Sequence, residues 1–555
     1  MRLFFTECGA FVTGTARPAE LRSQALKPVF RSARRRDTLA FDDCSLDYYP
    51  VDKRGKDLPD VAGDEADAWG TEVARRDGPV PFLIYTQRRH LVTELLEDAA
   101  RWGGRDHLVQ GSRRVTFGAM TEAADRAAAG LAVLGVSSGD RMLLLAGNSP
   151  EWVISLWAGL RLGAVVAPGN RWWSTVEIAH AIELTVPAVV IADTEMTKRL
   201  PARIPAAVVP VADIRAWAAE TGVPPPELPA PDGTEEDPAL IIFTAGTTGL
   251  AKAAVLAHRS VIANLQNLLL VSRRLPHQLR EDRPPEVMLQ SGPLFHIGGV
   301  QSLLLALLGG TTVVFLDGRF DPGQVLDLIE RERVTIWGAV PTMAIRVLED
   351  PTRPGRDLAS VRSISLGGSP VTPELSGRLR AAFPNVRRGV STVYGMTEAG
   401  GTVAASSGTL MATHPRTAGR PLPVVELRID SADGAGTGEI VVRTPAQMLG
   451  NRGQNAPEVI DAGGWLHTGD LGRLEDGLLY LTGRAKDVII RGAENIAAAH
   501  VEEVLHGHPA VAATRLGRFQ VPARWRLQTE PLSMTDSGKI AKHALRDAWL
   551  AQSGT

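Results

Sequence analysis

A chain of 555 residues with a net charge of −2 can bury a large core in more than one domain, and its charge balance gives no reason to expect a nucleic-acid partner. Its two cysteines, Cys8 and Cys44, both lie in the first fifty residues, which excludes a disulfide scaffold or thiol catalysis in the main body and fits a reducing, cytoplasmic compartment. The longest apolar stretch, Leu303 to Leu316, is broken by Gly309–Gly310, so it reads as core and not as a transmembrane segment.

Residues 1–80 lack helical or strand period. A basic cluster at Arg31, Arg34, Arg35 and Arg36 is followed by an acidic stretch around Asp57 to Asp67. This reads as a disordered extension, or as the product of a start codon placed too far upstream. Glu7 interrupts the first apolar run, which argues against a signal peptide. Folded pattern begins near Phe82. Leu91, Leu95 and Leu96 share a helix face, and Thr116–Phe117 leads a helix through Ala123, Ala127 and Leu131 that Gly135 ends. A strand over Asp140 to Ala146 gives way to a helix over Glu151 to Leu162 and a strand over Ala164 to Ala167. Further strands cover Val189 to Ala192 and Ala206 to Val211. Such alternation predicts an α/β fold with a parallel sheet covered on both faces. Trp172 and Trp173 read as packing residues, and Pro224 to Asp237 as a proline- and acid-rich linker.

The linker delivers the chain to its most informative stretch. An apolar strand, Ala239 to Phe243, breaks into Thr244-Ala245-Gly246-Thr247-Thr248-Gly249, and Lys252 opens a second apolar run. Gly246 and Gly249 permit positive φ, so several N–H groups can turn toward one anion. Thr244, Thr247 and Thr248 add hydroxyl donors, and Lys252 adds a mobile charge. The Walker spacing is absent, since only two residues separate the glycines and Ala253 follows the lysine. Alone, the stretch is also compatible with a flexible turn carrying a solvated lysine. It resembles, however, the phosphate loop of the adenylate-forming superfamily of acyl-CoA synthetases, luciferases and peptide-synthetase adenylation domains. Ala245, Ala251 and Ala253 stand where that family usually has Ser, Pro and Gly.

The resemblance assigns expectations to the rest of the chain. Strands follow at Val287 to Leu289, Thr311 to Phe315 and Val334 to Trp337, with a helix over Val325 to Arg333. In Pro293-Leu294-Phe295-His296-Ile297-Gly298-Gly299, the resemblance puts His296 at the wall of the acyl pocket; a lone histidine there is otherwise structural. His296 with Gly298, Gly299, Gly395, Gly400 and Gly401 would leave room for an apolar acid, with a fatty acid as the default and an aryl acid as the alternative. Gly367-Gly368-Ser369 would lie against the adenine, where a flat ring needs backbone free of Cβ atoms. In Val393-Tyr394-Gly395-Met396-Thr397-Glu398, Tyr394 would wall the base and Thr397 would donate to the α-phosphate. Glu398 would hold Mg²⁺, which favours one or two carboxylates plus phosphate oxygens. Asp470 fits the ribose carboxylate, Arg484 a ribose-contacting arginine, Lys486 the domain hinge and Gly492 the glycine beside the thiol tunnel. Lys539, in Thr535-Asp536-Ser537-Gly538-Lys539-Ile540, matches the lysine that bridges the acyl carboxylate and the α-phosphate.

The implied architecture is a large multi-subdomain N-terminal domain with αβαβα-type sheets over 81–483 and a small α+β C-terminal domain over 484–555. The implied chemistry is ATP-dependent, Mg²⁺-assisted conversion of a carboxylic acid to acyl-AMP and transfer to coenzyme A. One departure bears on this. From Asn495 to Lys539 the spacing is roughly half the family's usual length, which implies an internal deletion in the small domain. Two alternatives therefore stay open: a nucleotide- or acyl-binding pseudoenzyme, and an acyl-AMP ligase that loads a carrier protein. A homodimer is also compatible. His500, His506 and His508 have no partner cluster that would make a metal site.

Overall fold

A computed structural model describes residues 68–219, 228, 232–244, 251–368, 371–386, 390–452 and 459–485, apart from Pro79 and Ala435, together with the backbone of 2–4, 488–491, 494–497 and 526–528. Two large mixed sheets organise these residues. In the seven-stranded sheet, Val165–Pro168, Arg141–Leu145, Val189–Ala192 and Ala207–Pro210 run parallel. The helix α1 (Pro150–Arg161) forms one of the crossovers. Ser149 caps it, its Oγ accepting from Trp152 N at 3.2 Å, and Pro150 occupies the first turn, where its missing N–H costs nothing. Pro150 through Leu160 are buried on every side, so α1 is an interior helix. Its one acid, Glu151, is fully buried and accepts from Arg113 and from Arg215 Nε at 2.6 Å. Burial alone would raise the carboxyl pKa, but the hydrogen bonds from Arg215 and Arg113 outweigh it and hold Glu151 below the usual carboxylate range.

The remaining strands of this sheet are β1 (Pro238–Thr244), β2 (Lys252–Ala257) and Gly450–Arg452. β1 pairs parallel with Val165–Pro168, β2 pairs antiparallel with β1, and Gly450–Arg452 adds antiparallel to β2. The helices α2 (His258–Ser272) and α3 (Ile297–Leu308) follow in the chain. The Leu303–Leu316 stretch ends α3, turns at Gly309–Gly310 and becomes the buried strand Thr312–Phe315. Among the described residues no helix is long and apolar enough to cross a membrane.

The second sheet has thirteen strands. Its parallel half contains Asp106–Gln110, Thr312–Phe315, Val287–Gln290, Ile336–Ala339, β3 (Ser363–Gly367) and β4 (Val390–Met396). From β5 (Gly401–Ser406) onward the pairing is antiparallel through Thr417–Pro421, β6 (Leu466–Glu475) and β7 (Leu478–Arg484). The predicted parallel α/β sheet is thus present, with an antiparallel wing that helix–strand alternation did not foretell.

The start of the fold is corrected. The sequence reading began it near Phe82, yet Trp69 is 3% exposed and its Nε1 donates to Asp98 Oδ2 at 2.8 Å. Val73–Arg76 pairs antiparallel with Phe82–Tyr85. This strand looked polar because distant ion pairs anchor it: Arg75 to Glu426 at 2.8 Å and Arg76 to Glu236 at 2.7 Å. The acidic end of the linker is anchored too, Glu235 by Arg88 and Glu236 by Arg259.

His258, the first residue of α2, is 7% exposed, and its Nδ1 accepts from Val92 N at 3.0 Å. Burial pushes its pKa down to about 4, so the native state holds it neutral. An unfolded histidine takes its proton near pH 6.5. The stabilisation from neutral His258 is therefore complete above that value and is lost as pH falls toward 4. Urea unfolding at pH 7 and pH 5 should show His258→Gln losing about 2 kcal/mol less than wild type over that interval. Equal losses would contradict the buried neutral form.

Candidate active site

β1 and β2 form the hairpin that carries the glycine–threonine turn. Thr244 ends β1 and faces Lys252, its register partner at the start of β2, so the hydroxyl and the ammonium flank the turn. Gly246, Thr247, Thr248 and Gly249 lie outside the described residues. Ala253, where the family usually has glycine, is fully buried against Trp173 and Phe243 in the core. Ala251 stands in place of the family's proline, and the exit of the turn gains a constraint not foreseen from sequence. His180 Nε2 donates to the Ala251 carbonyl at 3.0 Å, which fixes the Nε2–H tautomer for that contact.

The second marker meets the first. Thr397–Ala399 forms a tight turn between β4 and β5, and Thr244 Oγ1 donates to Glu398 Oε1 at 3.3 Å across 154 residues of chain. The segment Met448–Arg452 laces the two sheets together here. Met448 N donates to the Glu398 carbonyl at 2.9 Å, Leu449 N to the Val255 carbonyl at 2.8 Å, and Arg452 pairs with Ala253. One length of backbone therefore touches both the acid-bearing turn and β2.

The ribose candidates also converge. Asp470 and Arg484 are register partners across β6 and β7, and Arg484 Nε donates to Asp470 Oδ1 at 2.8 Å. Tyr394 OH donates to Asp470 Oδ2 at 2.9 Å, and Thr468 Oγ1 accepts from Asp470 N at 3.1 Å. Burial and the Asp470 charge raise the Tyr394 pKa, so its phenol stays protonated and remains a donor. Sequence reading expected Tyr394 to wall the base; its hydroxyl is committed to orienting Asp470. Each Asp470 oxygen holds one partner and keeps acceptor capacity for a second. Gly367 pairs with Val393 beside this group, and Gly368 follows with φ of 78°. Ser369 lies outside the described residues.

The sequence reading counted five glycines toward a roomy pocket, and at four of them the space where a Cβ would stand is filled. A Cβ on Gly299 would sit 2.3 Å from the Pro293 carbonyl oxygen, and one on Gly395 would sit 1.9 Å from the Gly401 carbonyl oxygen. A Cβ on Gly400 would meet the Ala446 carbonyl oxygen at 1.9 Å, and one on Gly401 the Gln301 amide at 2.0 Å. These four are glycine because backbone or a buried amide packs against them. Only Gly298 of the five faces open space. His296 caps α3 without a side-chain capping bond, and its ring lies 4.5 Å from that of Phe295, which meets Trp172 edge-on at 5.5 Å. Lys486, Gly492 and Lys539 lie outside the described residues, as do the three C-terminal histidines and most of the segment expected to be shortened.

Known proteins resemble this chain in sequence and fold. A family profile described as AMP-binding enzyme matches residues 95–450. A feruloyl-CoA synthase from Amycolatopsis sp is 34% identical over 490 residues, covering 79% of this chain and 94% of that protein. A fatty acid–acyl-carrier-protein ligase from Streptomyces coeruleorubidus is 28% identical over 498 residues, covering 80% of this chain and 93% of that protein. The o-succinylbenzoate coenzyme A synthetase from Bacillus subtilis, solved with ATP and magnesium ion, superposes with a TM-score of 0.70 at 27% identity, covering 83% of this chain and all of that one. The chain belongs to the AMP-binding enzyme family of the adenylate-forming superfamily and is an AMP-forming acid–thiol ligase.

Proposed function

We propose that this enzyme activates an aryl-substituted carboxylic acid of the phenylpropenoate type with ATP and passes the acyl group to coenzyme A in the cytoplasm. The observation that carries the nucleotide reading is the Thr244–Glu398 contact, which puts a phosphate-loop hydroxyl and an acid on one spot from opposite sheets. Thr244, the glycine–threonine turn and Lys252 hold the β- and γ-phosphates, and Thr397 donates to the α-phosphate. Gly367 and Gly368 accept the face of the adenine. Asp470 takes the ribose hydroxyls, oriented by Tyr394 and Arg484. Lys539 neutralises charge as the acyl oxygen attacks phosphorus, the small domain turns about Lys486, and Gly492 borders the path of the thiol.

The residues present suit a magnesium ion. Glu398 offers a carboxylate at the phosphate-loop hairpin, and a nucleotide-borne Mg²⁺ needs one or two carboxylates besides phosphate oxygens. When bound, the ion supplies positive charge to the phosphate oxygens.

Three features favour an aryl acid over the fatty acid expected by default. The relative at 34% identity is a feruloyl-CoA synthase. Trp172, Phe295 and His296 form an aromatic row next to the acyl-wall position. Four of the five glycines that would have widened the pocket are taken up by packing. A second reading, loading of a carrier protein, is favoured by the short Asn495–Lys539 spacing and by the carrier-protein ligase among the relatives.

ATP–pyrophosphate exchange against hydroxycinnamic, benzoic and C8–C16 fatty acids tests the acid class. At least tenfold higher kcat/KM for a hydroxycinnamic acid is expected, about 1.4 kcal/mol of discrimination; a preferred fatty acid would overturn it. The ribose role has its own test. Tyr394→Phe should weaken ATP binding about fivefold, the scale of one hydrogen bond. Replacing ATP by 2′-deoxy-ATP should then cost the variant less than it costs wild type, because both changes act through Asp470. Fully additive losses would place Tyr394 outside ribose recognition.

A further inference from the structure

Two buried amide side chains hold the turn that carries Glu398, and neither belongs to a motif. Asn264, on α2, is fully buried, and Gln301, on α3, is 6% exposed. Gln301 Nε2 donates to Asn264 Oδ1 and to the Gly400 carbonyl at 2.8 Å. Asn264 Nδ2 donates to the Thr402 carbonyl at 2.7 Å, while Thr402 N donates to Asn264 Oδ1 at 3.4 Å. The orientations enforce one another. Thr402 N–H needs an acceptor, so Oδ1 must face it, which leaves Nδ2 for the carbonyl and obliges Gln301 to present its NH₂. Asn264 thereby brackets Thr402 as a neighbouring strand would. Gly400 and Gly401 adopt φ of 75° and 125°, and a side chain at Gly401 would collide with the Gln301 amide.

We propose that Asn264 and Gln301 are positioning residues that fix the Glu398 carboxylate for the magnesium-bound nucleotide and tie it to the helix led by His296. The inference rests on the nucleotide reading above and names residues that reading does not use. Both amides act through backbone. Gln301 holds the carbonyl two residues after Glu398, and Asn264 holds the peptide groups of Thr402 where β5 departs. The turn bends at Gly400 and Gly401, both in backbone regions that favour glycine, and the amides brace it from the side opposite Met448 N, which donates to the Glu398 carbonyl at 2.9 Å. α2 follows directly on the phosphate-loop hairpin, and α3 begins directly after His296. The amide pair thus joins the phosphate-loop side, the acyl side and the acid-bearing turn in one buried network, where each bond left unmade would strand a polar group away from water.

The test is calorimetric binding of ATP across a Mg²⁺ titration, with folding followed by near-UV circular dichroism. Gln301→Met preserves bulk but removes both hydrogen bonds, and Asn264→Ser provides an independent second variant. Gln301→Met should raise the Mg²⁺ concentration for half-maximal ATP binding about tenfold, the lower end for outer-shell partners of metal ligands. It should leave Mg²⁺-free ATP binding unchanged. On a Glu398→Gln background the same substitution should add no shift, because its effect runs through that carboxylate. A folded Gln301→Met or Asn264→Ser protein with wild-type Mg²⁺ dependence overturns the inference alone, as does an equal shift on both backgrounds. A wild-type protein that binds no ATP with Mg²⁺ overturns the nucleotide reading and this inference with it.

Discussion

The hydrogen bond from Thr244 to Glu398 is the constraint on which the rest of the site turns. Its two ends belong to different sheets, one ending a strand of the seven-stranded sheet and the other following a strand of the thirteen-stranded sheet. Neither sheet could place both groups alone. The contact persists because Met448–Arg452 crosses from one sheet to the other immediately behind it, bonding to Glu398 and to β2 within a few residues. The hydroxyl and ammonium of the hairpin thus face an acid whose position is set by the other sheet. Groups held in place from two sides before any ligand binds are preorganised, and preorganisation is what a site for charged reactants needs.

The ribose end follows the same logic with different parts. Asp470 and Arg484 meet because they are cross-strand partners, and Tyr394 reaches Asp470 from the parallel half of the sheet. The carboxylate is thus held at both oxygens before a nucleotide arrives. Arg484 ends β7, so its link to Asp470 ties the end of that strand to β6.

Much of this was legible in the sequence, for reasons that differ by element. Ser149–Pro150 announces a helix start through local chemistry, and the apolar runs of β1 and β2 announce buried strands. The markers at Thr244, Thr397–Glu398 and Asp470 were found because each is a contiguous motif. What the sequence could not disclose depends on partners far along the chain. The glycines at 299, 395, 400 and 401 looked like open space and are in fact sites where backbone or a buried amide comes close. The sequence assigned a role to the Tyr394 ring and none to its hydroxyl, which bonds a carboxylate 76 residues on. The strand at Val73–Arg76 looked like part of a polar extension because its ion-pair partners, Glu426 and Glu236, lie in distant segments. His180, Asn264 and Gln301 carry no motif at all. Asn264 and Gln301 are buried polar residues on helices and His180 is half-buried, and such positions mark a hydrogen bond without naming its partner.

For these groups to form one site, a single nucleotide must span them. A crystal of the enzyme soaked with a non-hydrolysable ATP analogue and Mn²⁺ would show it most directly, since the anomalous signal locates the ion without prior assumptions. The ion should bond to the Glu398 carboxylate, with the phosphates under the Thr244–Lys252 hairpin and the ribose on Asp470. An ion bound away from Glu398, or a nucleotide seated on one sheet without touching the other, would contradict it.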